Sequence, residues 1–372
     1  MERNLASIKK IVNISPIEGA DRIELAQVDG WQVICKCGEF KVGDLCVYCE
    51  IDSIMPDKPE FEFLRSRKFR IKTQKMRGVL SQGICFPLSI LQNVITIKEG
   101  QDVTDIIGVT KYDPEGEKEA KLLQQLENIK KKRIKRFLLR NSFIRKIYFK
   151  FNKDKKSSWP QLFPKTDEDR VQNLTALFEN EKNLKTVFEV SEKIDGQSSS
   201  YFLIKNPNIF KRFFEPFMFG VCSRNFQILV PDNSTYWKAA KKYNINKKLV
   251  RFAKLSRANI IVLQGEILDP KVQGNKYLVK ETEFYAFNLI IDGKKKDSEY
   301  LKAWCKDFNI PNVDILCVDY VLPESIAELV EYSKNKSIKN PKIHREGIVL
   351  RNYEKNISFK CINPNFLIKY QD

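Results

Sequence analysis

Ser191-Glu192-Lys193-Ile194-Asp195-Gly196-Gln197-Ser198-Ser199-Ser200 lies between two apolar runs. Val187, Phe188 and Val190 precede it, and Tyr201-Phe202-Leu203-Ile204 follow. The pattern reads as a lysine at a turn between two strands. A lysine amine is ordinarily protonated. Beside other cations, or against a wall that strips its water, its pKa falls and it becomes a nucleophile. The Lys-x-Asp-Gly pattern alone carries little weight, since chance supplies it in roughly one chain of this length in ten. The plain alternative is an exposed Asp-Gly turn with a solvated lysine. The rest of the chain decides between them by whether it supplies partners for an activated amine.

At 372 residues the chain has room for two domains and a sizeable core. Its formal net charge of +18 suits a polyanionic partner, because each phosphate contact releases counterions. No apolar run reaches membrane-spanning length and no signal peptide is visible, which predicts no membrane partner. Nine cysteines, an odd number, suit reduced thiols in a cytoplasmic or nuclear compartment. Cys35, Cys37, Cys46 and Cys49 form C-x-C…C-x-x-C. Leu45 to Cys49 reads as a strand, however, where residues three apart face opposite ways, and this disfavours zinc. His344 is the only histidine, so histidine triads and histidine metal sites are nearly excluded.

Residues 1–108 read as short strands punctuated by turns (Glu18-Gly19, Asp29-Gly30, Gly43-Asp44, Gly78), which predicts a small β-barrel of the oligonucleotide-binding kind. Within it, Phe69-Arg70-Ile71-Lys72 alternates, so a strand there would put cations on one face, either as a groove that tracks a nucleic-acid backbone or as a solvated face. Residues 109–158 are helical in character and strongly basic. They read equally well as a linker touching phosphates or as an insertion packed by its apolar stripe. Residues 159–372 alternate strands and helices without βαβ regularity, giving an α+β domain with no dinucleotide fingerprint or Walker loop. Thr166 or Asp167 is expected to cap a helix starting there. Further helices are expected at Ser234 to Ala253, Ser298 to Phe308 and Pro323 to Asn335.

Polar residues recur at the ends of the later strands. They are Ser223-Arg224-Asn225, Gln264-Gly265-Glu266, the aromatic Phe284-Tyr285-Ala286-Phe287, Arg345-Glu346-Gly347 and Ser358-Phe359-Lys360. Singly each is bland. Jointly they offer an amine, cations for phosphates, carboxylates for a metal and a ring for a base, an inventory that fits nucleotidyl transfer. The ordered set KIDG, SRN, QGE, FYAF, EGIVLR and SFK resembles motifs I, Ia, III, IIIa, IV and V of the covalent nucleotidyltransferases. FYAFN, SFKCINPNF and the N-terminal GADRIELAQVDGWQVI and FPKTDEDRVQNL are similar to the ATP-dependent RNA ligases of the Naegleria and Deinococcus type, in which an oligonucleotide-binding domain precedes the ligase domain.

The resemblance implies an N-terminal OB-like barrel at 1–108 and an ATP-grasp-like nucleotidyltransferase domain of antiparallel sheets and helices at 159–372. It implies ATP and Mg²⁺ or Mn²⁺ as cofactors. It also implies RNA with 3′-OH and 5′-phosphate ends, a nicked duplex among them, as substrate for a monomeric enzyme. Lys193 is then the residue that carries AMP. Lys360 meets the α-phosphate, where its charge would depress the pKa of Lys193. Glu346 orients the metal or its waters, with Asp195 and Glu266 beside it. Phe287 stacks on adenine, with Phe284 as the alternative. Arg224 and Arg170 hold phosphates or ribose, and Glu192 accepts from the adenine amine. The short segment after Lys360 argues against the DNA ligases and capping enzymes, which carry a further barrel there. RNA ligases of the phage type carry a second lysine two residues after the motif V lysine, and this sequence departs from that pattern. Ile362 replaces a second lysine, whose role falls to Lys369 or to nothing. A DNA ligase, a capping-type enzyme and a non-catalytic RNA-binding homologue are the competing readings. On this reading, removal of residues 1–108 spares charging of the lysine and weakens sealing.

Overall fold

A computed structural model describes residues 4–91, 97–112, 156–229 and 231–370. Most of the basic segment expected at 109–158 lies outside the described residues.

The N-terminal strands Trp31–Lys36, Ile23–Val28, Ala6–Pro16, Leu45–Cys49 and Ile84–Pro87 form one antiparallel sheet in that order. Ala6–Pro16 serves two neighbours. Its first half pairs with Leu45–Cys49 and its second with Ile23–Val28, with a register break between Ile11 and Asn13. A bulge there bends the strand and lets the sheet curl. The curl closes where Ile34 N–H donates to Ser81 Oγ at 3.0 Å and Gln82 N–H to Gln32 O at 2.8 Å. Trp31, Val33 and Cys35 point inward from alternate positions, as a strand buried on one face requires.

The expected cationic strand at Phe69-Arg70-Ile71-Lys72 is not formed. Pro59–Arg67 is a 3-10 helix, with Pro59 suited to its first turn. Lys68 and Phe69 follow with φ of 52° and 60°, and left-handed residues cannot continue a pleat. Arg70 and Ile71 are both buried. Asp52 draws Arg70 inward, its Oδ1 lying 3.0 Å from Arg70 Nη2.

The second region has two antiparallel sheets. One has seven strands in the order Lys156–Ser158, Phe226–Ile228, Phe217–Cys222, Gln197–Lys205, Ile260–Leu268, Glu283–Ile291, Lys294–Lys295. The other has four, in the order Ile315–Val321, Val187–Lys193, Gly347–Asn352, Ile357–Ile362. The strands on either side of Ile194-Asp195-Gly196 belong to different sheets. The turn is therefore the crossing point between sheets rather than a hairpin. Gly196 makes the crossing possible, because a Cβ there would sit 2.4 Å from the Ile267 carbonyl oxygen.

Two helix expectations change. The span Ser234 to Ala253 is broken into Thr235–Lys242 and Ile245–Ser256 by Asn244, whose φ is 50°. The cap expected at Thr166 or Asp167 is absent. Arg170 stays extended, a 3-10 turn covers Val171–Asn173, and the helix starts at Thr175. Asp167 is taken by Arg224 at 2.7 Å instead.

The two regions interlock. Trp31 Nε1 donates to Asn173 Oδ1 at 2.6 Å, and Asn173 Nδ2 donates to Glu50 Oε1 at 2.8 Å. Helix Pro364–Tyr370 reaches back, and Phe366 and Leu367 with Ile362 join the N-terminal apolar cluster of Leu5, Ala6 and Ile8. The strand Thr110–Lys111 pairs with Ser53–Ile54, which carries the N-terminal unit past residue 108.

Candidate active site

Strand alternation sets the site. On the four-stranded sheet Lys193 is paired with Gly347, Ser191 with Val349, and Val349 with Lys360. Lys193 and Lys360 therefore share the face that looks toward the seven-stranded sheet. A cleft of about 270 Å³ lies there. Lys193, Lys360, Asp195, Glu192, Arg170, Arg224, Glu266, Phe287 and Glu346 line it, nine of the ten residues singled out from sequence.

Phe284 is the exception. It is fully buried beneath the sheet, 5.3 Å centroid to centroid from Tyr201, and its ring fills the space over Gly265, where a Cβ would meet it at 2.3 Å. Phe287, an odd number of residues away on the same strand, faces the cleft half-buried. The alternative adenine ring is thus a core residue. Phe284→Ala is expected to cost about 3–5 kcal/mol of stability and to leave the ATP requirement unmoved, which denaturant melts and an ATP titration would check together.

Lys193 Nζ lies 2.8 Å from Glu346 Oε2. Burial pushes the amine down, but Glu346, Glu266 and Asp195 outweigh burial and hold its pKa above the usual lysine value. The expected depression by Lys360 is not what this state shows, because three carboxylates surround the nucleophile. Burial pushes Glu266 up to about 8, with the Lys193 charge opposing and Glu346 adding to it. Its oxygens accept from Gly196 N–H at 3.1 Å and Ser198 Oγ at 2.9 Å. Burial and the charge of Glu346 also raise Asp195. The charge of Glu346 thus adds to burial in raising both Glu266 and Asp195, a crowding of negative charge that a further cation would relieve. No three His, Cys, Asp or Glu side chains among the described residues stand close enough to ligate one ion directly. The donor chemistry of Glu346, Glu266 and Asp195, hard carboxylate oxygens gathered about one lysine, fits a divalent cation such as Mg²⁺ or Mn²⁺.

Glu192 points away from Lys193, accepts from Ile338 N–H at 2.8 Å, and is raised by burial. Its Oε1 has no partner among the described residues. Arg224 sits at the rim with Asp167. Arg170 is buried, its Nη2 3.0 Å from Asp52 Oδ2.

Four residues escaped the sequence reading. Asp52, Lys111 and Tyr112 bring the N-terminal unit into the cleft wall. Lys276 Nζ lies 2.6 Å from Asp195 Oδ2, between the rings of Phe366 and Tyr370. Lys369, considered as a substitute for the lysine missing at 362, is exposed and leans on Tyr370 outside the cleft. The cation beside the nucleophile's turn is Lys276. Its only sequence signal was proximity to Gly274-Asn275, which no spacing rule connects to Asp195.

An OB-fold domain model matches residues 5–88, and the RNA ligase family model matches residues 186–371, half of the chain. The chain belongs to the RNA ligase family. As a whole this ligase is similar to solved structures of one enzyme. Naegleria gruberi RNA ligase with PPi matches at 28% identity and a TM-score of 0.77, covering 100% of both chains. A Lys-to-Ala mutant of that enzyme with ATP and Mn matches at 27% and 0.77, as does a Glu-to-Ala mutant with AMP and Mn, each covering 99% of both chains. A search of curated proteins gives no match. Among the described residues of the ligase no helix is long and apolar enough to cross a membrane.

Proposed function

We propose that this ligase uses ATP to join RNA 3′-OH and 5′-phosphate ends through a lysyl-AMP and an adenylylated RNA. The observation that carries the reading is the placement of Lys193 and Lys360 on one face of one sheet, opposite Glu266 and Phe287 of the other, in a single cleft. Lys193 Nζ attacks the α-phosphorus of ATP. A nitrogen–phosphorus bond forms, the bond to pyrophosphate breaks, and the carboxylate of Glu346 takes up the amine's proton. The RNA 5′-phosphate then takes AMP from the lysine. Finally an RNA 3′-OH attacks the activated phosphate and AMP departs.

Each residue has work in this sequence. Lys360 offsets charge gathering on the α-phosphate. Phe287 stacks on adenine, and Glu192 Oε1 is an acceptor for its amine. Arg170 and Arg224 hold phosphate or ribose oxygens. Glu346, Asp195 and Glu266 would hold the waters of Mg²⁺ or Mn²⁺. Such a cation supplies positive charge that neutralises phosphate oxygens and loosens the carboxylates' grip on the Lys193 proton. Phe287→Ala is expected to raise the ATP requirement by about 1–3 kcal/mol of lost stacking, and an unmoved ATP titration would remove Phe287 from the adenine site.

The deciding experiment incubates the protein with α-labelled ATP and then with nicked duplexes carrying RNA or DNA on each side. Label should pass from protein to an RNA 5′-end and be released on sealing. Labelling by GTP instead, or equal sealing of all-DNA nicks, would overturn the reading. RNA repair at nicked duplexes, a monomeric state and a reducing compartment complete the proposal. The last is supported by nine free cysteines.

A further inference from the structure

A second cavity, of about 340 Å³, opens between the edge strand Lys294–Lys295 and the hairpin of Gly347–Asn352 and Ile357–Ile362. Lys294, Lys295 and Arg351 supply its charge, and no carboxylate lines it. Glu168 and Glu189 stand behind the lining with their oxygens engaged. Glu168 accepts from Ser358 Oγ at 2.5 Å, and Glu189 accepts from Tyr353 Oη at 3.1 Å and from Ser298.

The cations are not similarly satisfied. Arg351 is 5% exposed. Its Nη1 donates to Ser191 Oγ at 2.8 Å and its Nη2 lies 3.9 Å from Glu168, while its Nε has no partner among the described residues. The half-buried Lys295 amine makes no hydrogen bond or ion pair among the described residues, and burial together with the Arg351 charge pushes it down to about 8. Buried cationic groups without full partners are costly, and a ligand anion would remove that cost.

Arg351 also lines the nucleotide cleft, so this side chain forms a wall common to both cavities. It stands two residues along the strand from Val349, the partner of Lys360. That spacing is roughly 7 Å. A cationic line therefore runs from Lys193 and Lys360 over Arg351 to Lys295. Its far end is open, with Lys294 and Asn356 exposed at the rim. An open rim suits a chain that continues past the site better than a small ion that must be enclosed.

We propose that this pocket binds a backbone phosphate of the RNA strand whose end is being joined, with Arg351 and Lys295 as its contacts and Lys294 at the exit. The inference rests on the RNA ligase reading and adds a strand path to it.

The test uses the full chain and a fluorescently labelled nicked RNA duplex, with binding read by anisotropy at several salt concentrations. Lys295→Glu is expected to weaken RNA binding at least tenfold, and Lys295→Arg to restore most of it. Lys295→Ala should lower the salt slope by about one. Lys294→Glu, on an exposed side chain that cannot disturb the core, should weaken binding in the same direction. Unchanged RNA affinity in both charge reversals would overturn the proposal. So would intact RNA affinity with a selective loss of pyrophosphate-driven release of AMP from the protein, which would assign the pocket to pyrophosphate. Labelling of the unaltered chain by α-labelled ATP reads the ligase activity separately, so failure there would be distinguishable from failure of this pocket.

Discussion

Lys193→Ala is expected to leave no protein-bound label after incubation with α-labelled ATP. The nucleophile's strand is fixed on both edges, by Ile315–Val321 and Gly347–Asn352, and the backbone does not depend on the lysine side chain for its pairing. The loss would therefore be chemical. Lys193 combines a place in the cleft with a carboxylate 2.8 Å away that can take up its proton. Lys193→Arg should fail equally, because a guanidinium stays protonated and cannot attack phosphorus. An RNA nick already carrying 5′-linked AMP should still be sealed by both variants, since that step does not use the amine. Persistent labelling of Lys193→Ala would move the nucleophile elsewhere, and loss of sealing on the adenylylated nick would assign the lysine a second role.

The second large effect is expected at Asp52, far from any nucleotidyltransferase motif in sequence. Its two oxygens meet two buried guanidiniums, Arg70 of the N-terminal unit and Arg170 of the cleft, each at 3.0 Å. Asp52→Ala brings those cations into proximity without the carboxylate between them. Removing one partner from a buried ion cluster costs about 3–5 kcal/mol. The same change lets Arg170 swing from the position in which it lines the cleft, so labelling by ATP should fall together with the melting temperature. Deleting residues 1–108 should act in the same way. The sequence reading has that deletion sparing the charging step. The structure argues otherwise, because Asp52 is part of the cleft wall and Trp31 and Glu50 brace Asn173 behind it. A truncated chain that labels as well as the full one would show that the clasp is dispensable.

Legibility followed how local each cause was. Strands of the second region could be read because alternation and turn residues act within a few positions, and the motif residues fell at their ends. The choice of Phe287 over Phe284 was harder. Both are aromatic on one strand, and the packing of Phe284 over Gly265, on the neighbouring strand, is a contact between strands. The stretch Phe69 to Lys72 misled because its alternation is real in sequence, yet Asp52 pulls Arg70 inward and left-handed turns at Lys68 and Phe69 break the pleat. Lys276 and Asp52 were invisible for the same reason. Their partners are 81 and 118 residues away, and no periodicity reaches that far.

The returning helix Pro364–Tyr370 has a consequence for how the molecule is made. Ile362, Phe366 and Leu367 complete the apolar cluster that Leu5, Ala6 and Ile8 begin. During translation, at about 5–20 residues per second, the barrel is synthesised first but waits roughly half a minute for these side chains to leave the ribosome. Until then it holds an open seam of apolar surface, the kind of surface that chaperones cover and that aggregation exploits. Contacts between residues so far apart in sequence also slow folding, because the loop they close must be ordered before it is rewarded. The barrel is synthesised before the ligase sheets yet is finished after them, and damage to helix Pro364–Tyr370 should surface as misfolding of the barrel.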